Sequence, residues 1–391
     1  MTGAFDLDGL GKALDAAAAD IDATGDPEGV GLGLLREHGL MGCLVPASLG
    51  GGGEGVAVML AIAERIGAHC PGLAVLWVMH CQQVAILDRY ADEPLRGDVL
   101  RAVARDQHFL ASITTEPGKG GHLMTARAAL GRTAGTLRFS REAPVVSGGL
   151  HADAYLITMR RAEDSVPDDV VLVHAPRDAV QVTPRGPVDM LGMRGASNVS
   201  LTVDVCVPPE NLIDPPGGFA RIGARTMVPL GHLGWSAAWL GAARAALRHV
   251  LRRLRADGAG SIRRDDDVLD RVARARLRVD TVEAVVLAGL REFEARSGRE
   301  LDHPAFHILV NNVKVVASEQ TFRAVDELVE VGGLGLGYRR GPDLVLERIF
   351  RDLRSATLMY GNHRLVRASG KLALLDAGAQ SLRAGGLATM L

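Results

Sequence analysis

The chain has 391 residues, 47% of them apolar, with a formal net charge of −2. That length exceeds one compact core and calls for two or three structural units, and the apolar share excludes wholesale disorder. The near-neutral balance, with aromatics at only 4%, excludes a global field for nucleic acid or membrane surfaces and argues against base-stacking platforms.

The opening residues, MTGAFDLDGLGKALD, lack the basic region and long apolar run of a secretory signal. No stretch offers ~20 uninterrupted apolar residues, so nothing is expected to span a bilayer. Cys43, Cys70, Cys81 and Cys206 form no CxxC pair, so neither a zinc site nor a disulfide framework is readable. A soluble, cytoplasmic protein is the expectation.

Residues 1–108 read as a helical domain. LDGLGKALDAAAADI, GVGLGLLREHGL, VAVMLAIAERIGAHC and LRGDVLRAVARDQ show helical spacing or composition, with a Gly-rich turn at 47–55. Residues 109–215 change texture. LASITT, TLRFS, DAYLITM, VVLVHA, VQVTP and VSLTVDVCVP are short β-branched runs broken by Gly, Pro and Asp, the signature of an antiparallel β-domain. Helical periodicity returns over 216–391, in AAWLGAARAALRHVLRRL, LDRVARARLRVDTVEAVVLAGLREFEARS, FHILVNNVKVVASEQTFRAVDELVEV and LVLERIFRDLRSATLM. The order α, β, α makes this an α+β chain without βαβ alternation. GGLGLG at 332–337 is therefore no sign of a Rossmann sheet.

Three motifs stand out. ITTEPGKGGHL (113–123) ends a strand in two threonines and turns through glycines, offering backbone N–H groups and hydroxyls to a flat ligand or a phosphate. APVVSGGLHADAYLI (143–157) places Ser147 before a Gly-Gly pair, read by itself as a plain hairpin. MLGMRGASNVSLTVDVCVPPENLI (190–213) carries an Arg-Gly-Ala-Ser-Asn loop before a strand. Asp302 reads as a helix N-cap with Pro304 in the first turn, which makes His303 and His307 a poor metal pair, and no metal is expected. The basic run RHVLRRLR (248–255) reads as a solvated helix face.

In order, TTEPGKGG, VVSGG…AD, LGMRGASN…VCVPPENLI, VEVGGLGLGY and LERIFRDLRS resemble the acyl-CoA dehydrogenase family of flavoproteins over nearly the whole chain. The resemblance implies an N-terminal helical domain, a middle antiparallel β-domain and a C-terminal four-helix bundle. FAD would bind between the last two, in a homodimer or homotetramer. FMN or diffusible reduced flavin is the alternative. Thr114 and Thr115 match the strand that meets the flavin ring, with Gly120, Gly121 and Val146 alongside. Ser147 matches a Thr that bonds the flavin near N5, and Val145 replaces a Trp covering one flavin face. Gly332 and Gly333 match the pair that approaches a neighbouring subunit's cofactor, and Asn362 and Arg364 stand at further cofactor contacts. Arg194, Ser197 and Met359 are the candidate substrate contacts.

The departures concern the cofactor and the base. No Phe-Gly pair follows the first long bundle helix, where Arg263 or Arg264 could stand in for the family's Arg, and Val329 replaces a Gln. Tyr360 occupies the position of the usual catalytic Glu, and the alternative base position falls on Gly231, beside His232. An unperturbed Tyr is about 0.1% ionised at pH 7, whereas an unperturbed His titrates near neutrality. His232 is therefore the expected base, with Tyr360 as hydrogen-bond donor or shape residue; His363 could assist. The expected activity is α,β-dehydrogenation of an acyl thioester, on coenzyme A or an acyl-carrier protein, with an electron-transfer partner or O2 as acceptor. The alternatives are a flavin monooxygenase fed by a partner reductase, or a catalytically silent binding relative.

Overall fold

The computed structural model describes residues 5–120, 122–133, 135–256, 266–341 and 345–376. The chain opens with helices α1 (Leu7–Thr24), α2 (Val30–Glu37), α3 (Val56–Gly67), α4 (Pro71–Tyr90) and α5 (Leu95–Asp106). Asp6 caps α1 by accepting from the Gly9 N–H, and Gly25 ends it at φ 79°, a left-handed conformation that costs glycine little. Helix α4 is buried on every face along most of its length. Its sequence, PGLAVLWVMHCQQVAILDRY, carries no two-sided pattern, so hydrophobic periodicity does not mark it.

Strands follow: β1 (Leu110–Ile113), β2 (Gly131–Thr133), β3 (Thr136–Ser147), β4 (Ala154–Arg160), β5 (Val170–Pro176), β6 (Val180–Pro187), β7 (Asn198–Val207) and β8 (Leu212–Ile213). They form two four-stranded sheets, ordered β1-β4-β5-β8 and β2-β3-β7-β6. Pairing is antiparallel except between β1 and β4, which run parallel. The hairpin expected at 143–157 does not form: β3 pairs with β7, and β4 with β1 and β5. Gly148 and Gly149 instead carry the chain from one sheet to the other.

A bulge in β3 prepares the site. Up to Ala143 the buried positions are Leu137, Phe139, Arg141 and Ala143. The register with β7 then shifts between Ala143 and Val146, where Pro144 supplies no N–H. Beyond the shift Val146 faces inward, while Val145 and Ser147 turn outward.

Helix α6 (Gly218–Ile222) runs through a π-helical turn (Gly223–Met227) into α7 (Val228–Ala256), followed by α8 (Asp266–Glu294), α9 (Pro304–Gly333), α10 (Val345–Arg354) and α11 (Asn362–Ala373). The three long helices α7, α8 and α9 pack side by side, and the short α10 and α11 together fill the fourth position against α9. Arg248, Arg252, Arg253 and Arg255 are exposed, as a solvated face requires. The N-cap of α9 is His303, whose ring accepts from the Ala305 N–H at 3.3 Å. Asp302, the cap expected from sequence, instead pairs with Arg225. After α9, Leu334–Tyr338 form a second π-helical turn, not a nucleotide loop. Among the described residues no helix is long and apolar enough to cross a membrane.

Candidate active site

The ends of β1, β3 and β7 meet α4, α7 and the turn between α10 and α11 around a cavity of about 510 Å³. Thr114, Thr115, Val145, Ser147 and Asn198 form its sheet side. Val75, Met79 and Gln82 of α4, with Met227, His232 and Trp235 from the π turn and α7, form its helical side. Met359, Tyr360, His363 and Arg364 close one end. No Asp or Glu is among the described lining residues.

The sheet side is braced from behind. Thr115 Oγ1 donates to the Val145 carbonyl at 2.8 Å, and Ser147 Oγ to Asn198 Oδ1 at 2.8 Å. Arg141 is fully buried and faces Glu116 at 3.1 Å, with its Nη2 also donating to the Thr115 carbonyl at 3.2 Å. Glu116 further accepts from the Arg127 and Ala128 N–H groups at 2.8 and 2.6 Å. Lys119 Nζ donates to the Thr114 carbonyl at 3.1 Å; burial, then the Arg141 charge, lowers this amine to about 8. The Thr-Thr-Glu-Pro-Gly stretch is thus held by a buried ion pair rather than by sheet pairing alone.

The helical end is fixed by Arg351 and Asp352 of α10. Arg351 makes a two-pronged ion pair with Asp22 of α1, at 3.0 and 2.6 Å, and donates to the Leu191 carbonyl at 3.0 Å. Asp352 is buried and accepts from the Met193 N–H. Met193 and Tyr360 adopt positive φ, at 59° and 51°, conformations that cost a non-glycine residue of the order of 1–3 kcal/mol and collect at functional sites.

Thr114, Thr115, Gly120, Ser147, His232, Met359, Tyr360 and Arg364, all expected from sequence, line the cavity. The remaining expectations do not converge there. Val146 is fully buried among the β-domain core. Arg194 donates to the Asp22 and Ala23 carbonyls and pairs with Asp189. Ser197 Oγ donates to the Asp26 carbonyl at 3.0 Å. These two contacts tether the loop to the first helices instead of facing a substrate. The Asn362 side chain turns to α9, with Lys314, Ser318 and Glu319 as partners. Gly332 and Gly333, expected to approach a neighbouring subunit's cofactor rather than this cavity, lie at the end of α9 and do not line it. Gly121, Arg263 and Arg264 lie outside the described residues.

The acid–base expectation also changes. His232 is 1% exposed, and its Nδ1 has no hydrogen-bond partner. Burial, followed by the Lys314 charge, pushes its pKa down to about 3, so the ring is neutral at pH 7 but a weak base. Burial raises Tyr360 to about 12, so its hydroxyl stays protonated and can serve a ligand only as a neutral donor or acceptor. Sequence reasoning missed Met79, Gln82 and Trp235; α4 lacked a periodic signal, and nothing in the order of α7 marks which face meets the cavity.

Walls rich in hydroxyl and amide groups on one side and apolar on the other suit a planar ring with a polar edge. Arg364, which donates to the Gly120 carbonyl and has no carboxylate partner among the described residues, suits a phosphate with its remaining N–H groups. The lining fits a flavin, since it presents no negative charge to oppose either the phosphate or a reduced, anionic ring.

Comparison with known proteins agrees with this architecture. Residues 221–369 match the acyl-CoA dehydrogenase C-terminal domain, and residues 10–107 the N-terminal domain. Cyclohexane-1-carbonyl-CoA dehydrogenase of Geobacter metallireducens is 24% identical over 364 residues, 90% of each chain. FMN-bound TdsC of Paenibacillus sp. A11-2, a dibenzothiophene monooxygenase, superimposes with a TM-score of 0.81 at 21% identity, covering 95% of this chain and 97% of that one. Butyryl-CoA dehydrogenase of Megasphaera elsdenii gives 0.80 at 20% identity, covering 93% and 95%. At such identities the structures establish the fold alone.

Proposed function

The chain belongs to the acyl-CoA dehydrogenase family of flavoproteins, and from that premise we propose that it is a flavin-dependent monooxygenase acting on a small organic substrate. The observation that carries the proposal is the absence of any carboxylate among the described residues of the cavity lining. Desaturating a thioester requires a base for the α-proton, and a positioned base contributes about 10²–10⁴-fold. Here the usual position holds a Tyr raised to about 12 and the neighbouring candidate a His lowered to about 3. Both prefer their neutral forms at pH 7. Neutral donors suit oxygen transfer, which needs no such base.

Bound and reduced, a flavin supplies electrons to O2, one oxygen atom going to the substrate and the other to water. Thr114, Thr115, Ser147 and Asn198 would hold its ring edge, and Arg364 its phosphate. His232, Trp235 and Tyr360 would shape the substrate end and, with Met79 and Met227, exclude water. The cofactor proposed is FAD, with FMN as the alternative, and a separate reductase or electron-transfer partner would supply electrons. A cytoplasmic homodimer or homotetramer completes this reading.

Dehydrogenation of an acyl thioester on coenzyme A or a carrier protein is the second reading. The unbonded Nδ1 of His232 beside the cavity favours it.

The test uses the purified, flavin-loaded protein. Anaerobic addition of short acyl thioesters should leave the visible flavin band unchanged. Reduced protein mixed with labelled O2 and a panel of small amines, phenols and thiophenes should place one labelled oxygen in a product. Thioester-dependent bleaching, abolished in His232→Ala with flavin still bound, would establish the second reading instead.

A further inference from the structure

Between α10 and α11 the chain makes an irregular turn over 355–361, and this turn presents Met359 and Tyr360 to the cavity. Its internal bonds run from Leu358 and Met359 N–H to the Ser355 carbonyl, from Gly361 N–H to Leu358, and from Asn362 N–H to Thr357. The ends are tied only to their own helices, through Ser355 and Ala356 N–H to the Asp352 and Leu353 carbonyls of α10 and Arg364 N–H to the Gly361 carbonyl, and none of these backbone bonds reaches α9. The fixing group is Lys314 on α9. Its side chain is fully buried, and Nζ donates to the Ala356 carbonyl at 3.0 Å and to Asn362 Oδ1 at 2.7 Å. One bond lands at each end of the turn.

Asn362 is itself locked. Its Nδ2 donates to Ser318 Oγ at 3.0 Å and to Glu319 Oε1 at 3.1 Å. Lys314, Ser318 and Glu319 occupy adjacent turns of α9, so one helix face grips one amide. The third side of the amine lies over the Trp239 ring of α7, 5.8 Å from its centroid, a cation–π contact when the amine is protonated. Among the described residues no carboxylate lies within ion-pair distance of Nζ, and burial, only partly opposed by the Glu319 charge, lowers the amine to about 7. Burying an amine without a counter-ion is unfavourable, so its placement calls for a role beyond packing.

We propose that Lys314 is a positioning residue that clamps both ends of the Ala356–Asn362 turn and thereby sets the pose of Tyr360 at the flavin cavity. The clamp supplies the over-determination that a tyrosine at φ 51° needs to persist. Asn362 is the relay between the clamp and α11, not a cofactor contact. The clamp itself rests on these hydrogen bonds; its link to the flavin rests on the proposed function of the cavity.

Two measurements test it. Hydrogen–deuterium exchange on the ligand-free chain, comparing native protein with Lys314→Met, should show amides of 355–362 exchanging at least tenfold faster, with the sheets unchanged. Unchanged exchange at 355–362 in a folded variant overturns the clamp. Should that variant not fold, Asn362→Ala removes one anchor and leaves the other; the same local acceleration is expected, and its absence overturns the proposal equally. In the flavin-loaded protein, Lys314→Met should shift the visible band of the bound flavin, and the shift should vanish when Tyr360 is already Ala. A shift that persists in Tyr360→Ala overturns the route through Tyr360. Native protein that binds neither FAD nor FMN defeats the cavity assignment, and the exchange arm then judges the clamp alone.

Discussion

The rings of His232 and Tyr360 meet edge to face, with centroids 5.4 Å apart and planes at 66°. The two side chains that stand where a base is expected therefore buttress each other at one end of the cavity. Burial, the largest cause of both shifts, favours the neutral form of each ring.

Tyr360→Phe should leave stability nearly unchanged, because the hydroxyl has no hydrogen-bond partner among the described residues. Product formation should fall about tenfold, the loss of roughly one hydrogen bond to substrate or intermediate. Thermal unfolding and turnover measured on the same preparation check both halves.

The buried pair of Arg141 and Glu116 should prove costly to break from one side. Glu116→Ala strands a fully buried guanidinium and frees the Arg127 and Ala128 N–H groups, and a loss of about 3–5 kcal/mol is expected. Denaturant unfolding measures it. Flavin affinity should fall as well, since the same pair holds Thr115.

Three buried histidines set an acid limit. Burial lowers His80 and His174 to about 4 and His232 to about 3, against roughly 6.5 in the unfolded chain. Between those values the unfolded state binds more protons, so stability rises with pH and is lost as pH falls below about 6.5. Each group contributes up to about 1.4 kcal/mol per pH unit there. Asp352, raised by burial to about 7, acts in the opposite sense between about 4 and 7 and offsets one of the three. The midpoint of thermal unfolding should therefore drop between pH 6.5 and pH 4.5, and His174→Gln should flatten that slope.

Gly192→Ala should loosen the site at the cavity wall. A Cβ there would overlap the backbone of Arg351 and Asp352, forcing the 190–193 loop away from α10 at about 1–3 kcal/mol. Flavin affinity should weaken with it. Gly33→Ala, on α2 with open space around it, is the control and should stabilise by about 0.4–1 kcal/mol.

Much of the fold was legible because it is written in short-range pattern. The strands of the β-domain, the long bundle helices and the Thr-Thr-Glu-Pro-Gly turn all declare themselves within a few residues. The principal omission was α4, whose central position in the molecule buries every face and erases the periodicity that reveals a surface helix. Its length, near twenty residues with Pro71 at the first turn and no internal break, was the available signal. With α4 went Val75, Met79 and Gln82, half of the helical wall.

The sequence alone determined that position 360 is a Tyr in a turn after an amphipathic helix, that Thr114, Thr115 and Ser147 sit at strand ends, and that the chain is built α, β, α. Those are matters of residue identity and local order. Only the tertiary structure decided what these groups can do. His232 reads as a neutral-pH base until burial and the Lys314 charge push it to about 3. Asn362 reads as a cofactor contact until α9 claims its amide. A pKa and a hydrogen-bond partner depend on desolvation and on neighbours dozens of residues away, and neither exists until the chain has packed.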